Sequence, residues 1–171
     1  MKRVIEGLLE FARQGAGATS VGAEVAPVLD DVVAEVRPRA EAARVDLRIE
    51  SFAPLTVACS PGALQSVLFN LLGNAVKYVI GGSRESRAVT VRVAERGDFV
   101  RVEVEDNGPG MPPGSERKVF EPFRRLEGTQ QPGVGLGLAT VKKIVETCRG
   151  RVGVDSHLGE GSVFWFELPK R

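Results

Sequence analysis

The stretch VLFNLLGNAVKYV, residues 67–79, sets a regular apolar spacing against two asparagines. Val67, Leu68, Leu71, Leu72, Ala75, Val76 and Val79 recur three and four residues apart, the period of a helix that buries one face. Asn70 and Asn74 lie one turn apart on another face, and Lys77 follows three residues later. Asparagine is a mediocre helix former. A polar edge on a half-buried helix is the plain reading. The second reading is a ligand set, because amide oxygens are good neutral ligands for a hard cation that also keeps water and phosphate oxygens. Lys77 would then neutralise phosphate charge, and the ring of Tyr78 could lie against a base.

Working outward, Ser60 fits an N-cap and Pro61 the first helical position of this helix. Before it, EVAPVLDDVVAEVRPRAEAA reads as another helix, and VDLRIE and LTVA as short strands. After it, AVTVRVAER and FVRVEVED alternate apolar and polar residues, and RGD joins them into a hairpin with one buried face. A glycine- and proline-rich stretch covers 107–135, then LATVKKIVETC reads as a helix with Leu138, Val141, Ile144, Val145 and Cys148 on its apolar side. RVGVDS and SVFWFELP close the chain as strands around the turn HLGEG. This order predicts an α+β fold, a two-layer α/β sandwich whose mixed, mostly antiparallel sheet carries helices on one face.

The 171 residues suit one ordinary domain with a short appended helix. Residues 2–14 have Ile5, Leu8, Leu9 and Ala12 on one side of a helical pattern, which GAGATS (15–20) ends. Glu6 and Glu10 interrupt that apolar run, so MKR followed by AGA is not a secretion signal. No run of about 18 uninterrupted apolar residues predicts a membrane span. A hydrophobic share of 43%, a charged share of 26% and a net charge of +1 belong to a globular protein with no general pull toward nucleic acid or an acidic membrane surface. Cys59 and Cys148 show no metal or redox spacing, so a reduced, cytoplasmic setting is expected.

Three further islands carry chemistry. EDNGPGMP (105–112) directly follows a strand, and is either a tight turn or a pocket floor. In the second case Asp106 would accept a hydrogen bond from an exocyclic amine, while Gly108 and Gly110 let a flat ring approach the backbone. GVGLGLAT (133–140) is either a flexible joint or a set of backbone N–H groups and a helix start facing a phosphate. It lacks the Lys-[Ser/Thr] of a P-loop and does not follow a strand, which excludes the P-loop and Rossmann folds. In VFEPFRRLEG (119–128), Phe120 and Phe123 read as anchors of the loop to the core. Arg124 and Arg125 are either solvated or aimed at phosphates.

In this order and spacing the four islands resemble the catalytic ATP-binding domain of bacterial sensor histidine kinases, in the wider family of DNA gyrase, the Hsp90 chaperone and the MutL repair ATPase. The asparagine helix resembles the family's N box, DNGPGM its G1 box, VFEPF its F box and GVGLGLAT its G2 box. The likeness covers about residues 25–169 and implies the Bergerat ATP-binding fold. It divides the chain into residues 1–20, similar to the end of a dimerisation and histidine-phosphotransfer helix with its linker, and 21–171, the catalytic domain.

The resemblance implies ATP and Mg²⁺ as cofactors. Asn74 would hold the Mg²⁺, with Asn70 beside it; Lys77 and Arg125 would touch phosphate, and Tyr78 would pack against the nucleotide. Asp106 would accept the adenine amino group, with Gly108 and Gly110 shaping the pocket. Residues 111–132 would form a lid pinned by Phe120 and Phe123. Gly133, Val134, Gly135, Leu136, Gly137 and Leu138 would wrap the phosphates. The hydrolytic relatives carry a glutamate where this chain has Asn70, and an amide cannot act as a general base at neutral pH. That favours phosphoryl transfer to another nucleophile, with Asn70, Lys77 and Arg125 as the catalytic set. A nucleotide-binding regulatory module without transfer is the alternative.

His157 is the single histidine and lies in the SHLGEG turn, off any helix. The acceptor histidine is therefore expected on a phosphotransfer helix hairpin outside this chain, in the same full-length protein or in trans. A response regulator downstream, a homodimer formed with the full dimerisation domain and a cytoplasmic domain without membrane contact complete the implied setting, and the full-length protein could be membrane-anchored.

Overall fold

The computed structural model describes residues 22–81, 85–124 and 135–171. Its elements are β1 (Ala23–Glu24), α1 (Val25–Ala42), β2 (Val45–Ile49), β3 (Thr56–Val57), α2 (Pro61–Ile80), β4 (Arg87–Arg96), β5 (Phe99–Asp106), a 3₁₀ turn (Lys118–Phe120), α3 (Gly137–Thr147), β6 (Arg151–His157) and β7 (Gly161–Pro169). The helix expected over 2–14 lies outside the described residues.

Helix α2 starts where the sequence places it. The Ser60 hydroxyl accepts a hydrogen bond from the Ala63 N–H at 3.3 Å, and Pro61 occupies the first turn, where a missing N–H is no loss. Val67, Leu68, Leu71, Leu72, Ala75, Val76 and Val79 are all buried, together with Leu64, while Phe69 faces solvent. α2 packs against both α1 and α3. Leu64, Leu68, Leu71 and Leu72 are at most 1% exposed, and truncating one of them to Ala costs about 2–5 kcal/mol. By length and composition α2 could also cross a bilayer. Its apolar face is instead accounted for by the core it packs into.

The sheet under these helices has the order β2-β4-β5-β7-β6. β2 runs parallel to β4, and the other pairings are antiparallel. The β4–β5 hairpin turns at Gly97 and Asp98, between paired Arg96 and Phe99. Gly97 has φ +61°, the left-handed conformation that tight hairpin turns require. Along β5 every second residue is buried, from Val100 to Asp106, and Phe164, Phe166 and Leu168 of β7 join the same layer. The other face is charged: Arg92 pairs with Glu50 at 2.7 Å and also with Glu105, and the Arg101 guanidinium lies 4.0 Å over the Trp165 ring. The expected sandwich with helices on one face is the observed one.

LTVA differs from its expectation. Only Thr56 and Val57 are extended, and they pair with β1 rather than with the large sheet. The segment acts as a tie: Leu55 O accepts from Val25 N at 2.9 Å, and Ala58 N donates to Pro169 O at 2.8 Å. It joins the start of α1 to the end of β7.

Candidate nucleotide-binding site

Asp106 ends the central strand β5 and is 4% exposed. Its Oδ1 accepts the Gly108 N–H at 2.9 Å. Burial pushes the Asp106 carboxyl up to about 6; the Gly108 N–H opposes that shift and the neighbouring Glu105 adds to it. Gly108 is required by its surroundings, since a Cβ there would stand 2.7 Å from Asp106 Oδ1 and 3.3 Å from the Tyr78 backbone. Asn107 is a latch. Its Oδ1 accepts from Ala88 N at 2.9 Å, and its Nδ2 donates to Ser86 O at 2.8 Å, fixing the start of β4.

A wall rises beside this floor from the β6–β7 turn. Gly110 has φ +65°, and a Cβ on it would lie 2.0 Å from His157 O. Gly159 N donates to Pro109 O at 2.7 Å, and Met111 N to the Ser156 hydroxyl at 2.9 Å. That hydroxyl donates in turn to Gly161 O at 2.9 Å and lies 2.9 Å from the Ser162 hydroxyl. Ser162 is the register partner of Asp106 across β5 and β7. Together these residues bound a cavity of about 370 Å³, whose lining includes Tyr78, Asp106, Met111, Lys118, Leu138, Ser162 and Phe164. Such a hollow, mostly apolar with one buried carboxylate, suits a flat ring bearing an amine.

The asparagine edge of α2 forms the other end. Asn70 Nδ2 donates to Ser66 O at 2.8 Å, which leaves its Oδ1 for other partners. A Cβ on Gly137 would stand 2.8 Å from Asn70 Oδ1 and 3.8 Å from Asn74 Nδ2. The start of α3 therefore lies directly over both amides. The N-cap residue Leu136 makes no side-chain cap, so among the described residues the helix start can present its N–H groups to an anion. Lys77 Nζ lies 4.9 Å from the Tyr78 ring centroid.

The described part of the loop between floor and α3 is tied at Phe120 and at Phe123. Phe120 is buried and meets Phe164 edge-on, with ring centroids 6.3 Å apart at 76°. Phe123 N donates to Gly135 O at 2.9 Å, and Gly135, at φ +77°, would bring a Cβ to 2.8 Å from Arg124 O. Phe123 itself corrects the expectation of two aromatic anchors. Its side chain is 54% exposed and its φ is +61°, so the tie at this position is backbone, and of the two rings it is Phe120 that pins the loop. Arg124 lines the cavity while its guanidinium is held by Glu121 at 2.8 Å. Arg125, Gly133 and Val134 lie outside the described residues. Of the other wrapping residues, Leu136 is buried and Leu138 lines the cavity.

The structure thus gathers Asn70, Asn74 and Gly137 at one end and Tyr78, Asp106, Gly108 and Gly110 at the other, while Gly135 sits against the Phe123–Arg124 backbone. Sequence reading missed Lys118, Ser156, Ser162 and Phe164. Ser162 and Phe164 carried a signal, through the alternation of their strand, which puts them on the face of Asp106. Among the described residues no cluster of three His, Cys, Asp or Glu side chains could hold a metal by itself. Two half-buried amides under an uncapped helix start fit a hard cation that brings phosphate oxygens and water with it.

This geometry has known counterparts. The family model described as "Histidine kinase-, DNA gyrase B-, and HSP90-like ATPase" matches residues 59–171. The chain belongs to that family. Among its relatives is the adaptive-response sensory kinase SasA of Synechococcus sp. (strain JA-3-3Ab), 34% identical over 174 residues, covering 99% of this chain and 45% of the relative. The sensor histidine kinase AruS of Pseudomonas aeruginosa is 35% identical over 96% of this chain and 17% of its own length. The chain spans less than half the length of these relatives. Among solved structures, full-length ShkA in complex with AMPPNP superposes with a TM-score of 0.79 at 33% identity, over 98% of this chain and 35% of ShkA. The mycobacterial sensor histidine kinase MprB gives 0.76 at 29% identity, over 88% of this chain and 97% of that one. The chain carries the catalytic ATP-binding domain of sensor histidine kinases.

Proposed function

We propose that this domain binds Mg·ATP and passes the γ-phosphoryl group to a histidine on a phosphotransfer helix hairpin outside these residues. The observation that carries the reading is the pairing of a buried carboxylate, Asp106, in one hollow with the Asn70–Asn74 edge under the start of α3. A purine amine and a polyphosphate need those two ends.

In this reading Asp106 accepts the adenine amino group, Gly108 and Gly110 admit the ring, and Tyr78 packs against the nucleotide. Asn74 holds the Mg²⁺ with Asn70 beside it, and the cation would draw charge from the phosphates during transfer. Lys77 and Arg125 neutralise the γ-phosphate, and residues 133–138 wrap the chain of phosphates. The bond from the γ-phosphorus to the bridging oxygen breaks as a bond to the imidazole nitrogen forms. The imidazole proton leaves to a base on the hairpin, because Asn70 cannot accept it. The AMPPNP held by ShkA, 33% identical to this chain, supports the nucleotide. A response regulator downstream, dimerisation through the full hairpin domain and a cytoplasmic location complete the proposal. No observation favours a module that binds nucleotide and transfers nothing.

The test is incubation with γ-labelled ATP and a separately made cognate hairpin. Label moving to the hairpin, and lost in Asn74→Ala with an unchanged melting curve, is the expected result. Nucleotide binding without transfer would return the reading to a regulatory module, and steady phosphate release by the chain alone would make it an ATPase.

A further inference from the structure

The Ser156 hydroxyl has three polar neighbours and one proton. It takes the Met111 N–H at 2.9 Å, and it lies 2.9 Å from Gly161 O and 2.9 Å from the Ser162 hydroxyl. An amide N–H only donates and a carbonyl only accepts, while a serine hydroxyl has one proton and two lone pairs. The Ser156 proton therefore goes to Gly161 O, and one lone pair takes the Met111 N–H. The remaining lone pair faces Ser162, so this last contact is a hydrogen bond only with Ser162 as donor. We propose that Ser156 is a specificity-determining positioning residue: by accepting the Ser162 O–H it leaves Ser162 Oγ to the cavity as an acceptor alone.

The surroundings hold this wiring in place. Gly161 has φ +125°, and a Cβ on it would stand 2.0 Å from Asp106 O, so β7 starts tight against the end of β5. Met111 is buried and lines the cavity, which fixes the N–H that Ser156 receives. Ser162 is 7% exposed, lines the same cavity and is the register partner of Asp106.

The consequence lies in what the hollow asks of a base, and it rests on the reading that a nucleotide occupies it. A free serine hydroxyl rotates to donate or to accept, and so tolerates either kind of ligand edge. Here Ser162 has no proton to give, and the Asp106 carboxylate, ionised above about pH 6, has none either. Both polar groups accept. A 6-amino purine turns an amine toward them. A 6-oxo purine turns a carbonyl oxygen toward them, and lone pairs then meet lone pairs in a buried place. Ser156 touches neither base and acts through Ser162.

The experiment is calorimetric titration of the chain with Mg·ATP and Mg·ITP at pH 7.5, for wild type, Ser156→Ala, Ser162→Ala and the double variant. Wild type should prefer ATP by at least about a hundredfold, because a site with unmatched buried polar groups rejects strongly. Ser156→Ala frees the Ser162 hydroxyl to turn, and the ratio should shrink about tenfold. In the Ser162→Ala background the same substitution should leave the ratio unchanged, since its effect passes through Ser162 Oγ. Ser156→Thr, which keeps the hydroxyl, should hold the wild-type ratio. A wild-type ratio in Ser156→Ala, an equal loss in both backgrounds, or a lost ratio in Ser156→Thr would each overturn the proposal. A wild type that binds ATP and ITP equally would also overturn it, while a wild type that binds neither would take the nucleotide reading down with it.

Discussion

Gly137 faces Asn70 so closely that a methyl group on it would stand 2.8 Å from the Asn70 amide oxygen. The contact joins the N box to the G2 box through the one position of α3 where a side chain has no room. Gly137→Ala should improve α3 as a helix, since Ala exceeds Gly by about 1 kcal/mol in helix propensity. It should also push Asn70 out of place. We expect an unchanged or higher melting temperature with an affinity for Mg·AMPPNP about tenfold weaker, a loss of about 1.4 kcal/mol. Calorimetric titration giving wild-type affinity would remove Asn70 and Gly137 from the phosphate end.

Asp106 links binding to stability through its proton. Its carboxyl is raised from an ordinary 3.8 to about 6, chiefly by burial. Between those values the folded chain holds a proton that the unfolded chain has lost, so stability falls as pH rises through that window and stays lower above it. With the group largely buried, the linkage amounts to about 3 kcal/mol at 1.36 kcal/mol per pH unit. Asp106→Asn removes the buried charge. The variant should melt higher than wild type at pH 7.5 and close to it at pH 4, while losing most of the nucleotide affinity that the wild type shows at pH 7.5. Parallel melting curves across pH for the two proteins would discard this account of the carboxylate. In the wild type, nucleotide affinity should weaken as pH falls below about 6, when the carboxylate gains its proton.

Phe120 and Phe123 look equivalent in VFEPF and are not. Phe120 is buried edge-on against Phe164, whereas Phe123 is 54% exposed. Phe120→Ala should cost about 3–4 kcal/mol by denaturant titration. Phe123→Ala should stay within about 0.5 kcal/mol of wild type, as an exposed side chain does. Equal losses at the two positions would restore the paired anchors that the sequence suggests.

What the sequence made legible was local or strictly periodic. Ser60 and Pro61 announce the start of α2, the alternation of FVRVEVED fixes which face of β5 is buried, and Asp106 falls at its end on that face. What stayed hidden depends on contacts between distant segments. The Ser156 hydroxyl takes the Met111 N–H from 45 residues away, and that bond holds the pocket wall. No local pattern distinguishes such a serine from a solvated one. Phe123 misled because the motif gives residue type but not the backbone angle, and a positive φ turns its ring outward.

Lys118 is the cation that the motifs did not single out. It lines the cavity from the 3₁₀ turn that Phe120 pins, while the neighbouring Arg124 is engaged by Glu121 at 2.8 Å. An exposed ammonium on the wall of the nucleotide hollow acts on a polyphosphate by charge, so its effect should be modest and screened by salt. Lys118→Ala should weaken Mg·AMPPNP binding about three- to fivefold at low ionic strength and less at 0.5 M salt. Adenosine, which carries no phosphate, should bind the variant and the wild type alike. If adenosine affinity falls with that of the nucleotide, Lys118 shapes the adenine hollow and does not read the phosphates. The ratio of the two losses therefore says which end of the ligand this side chain meets.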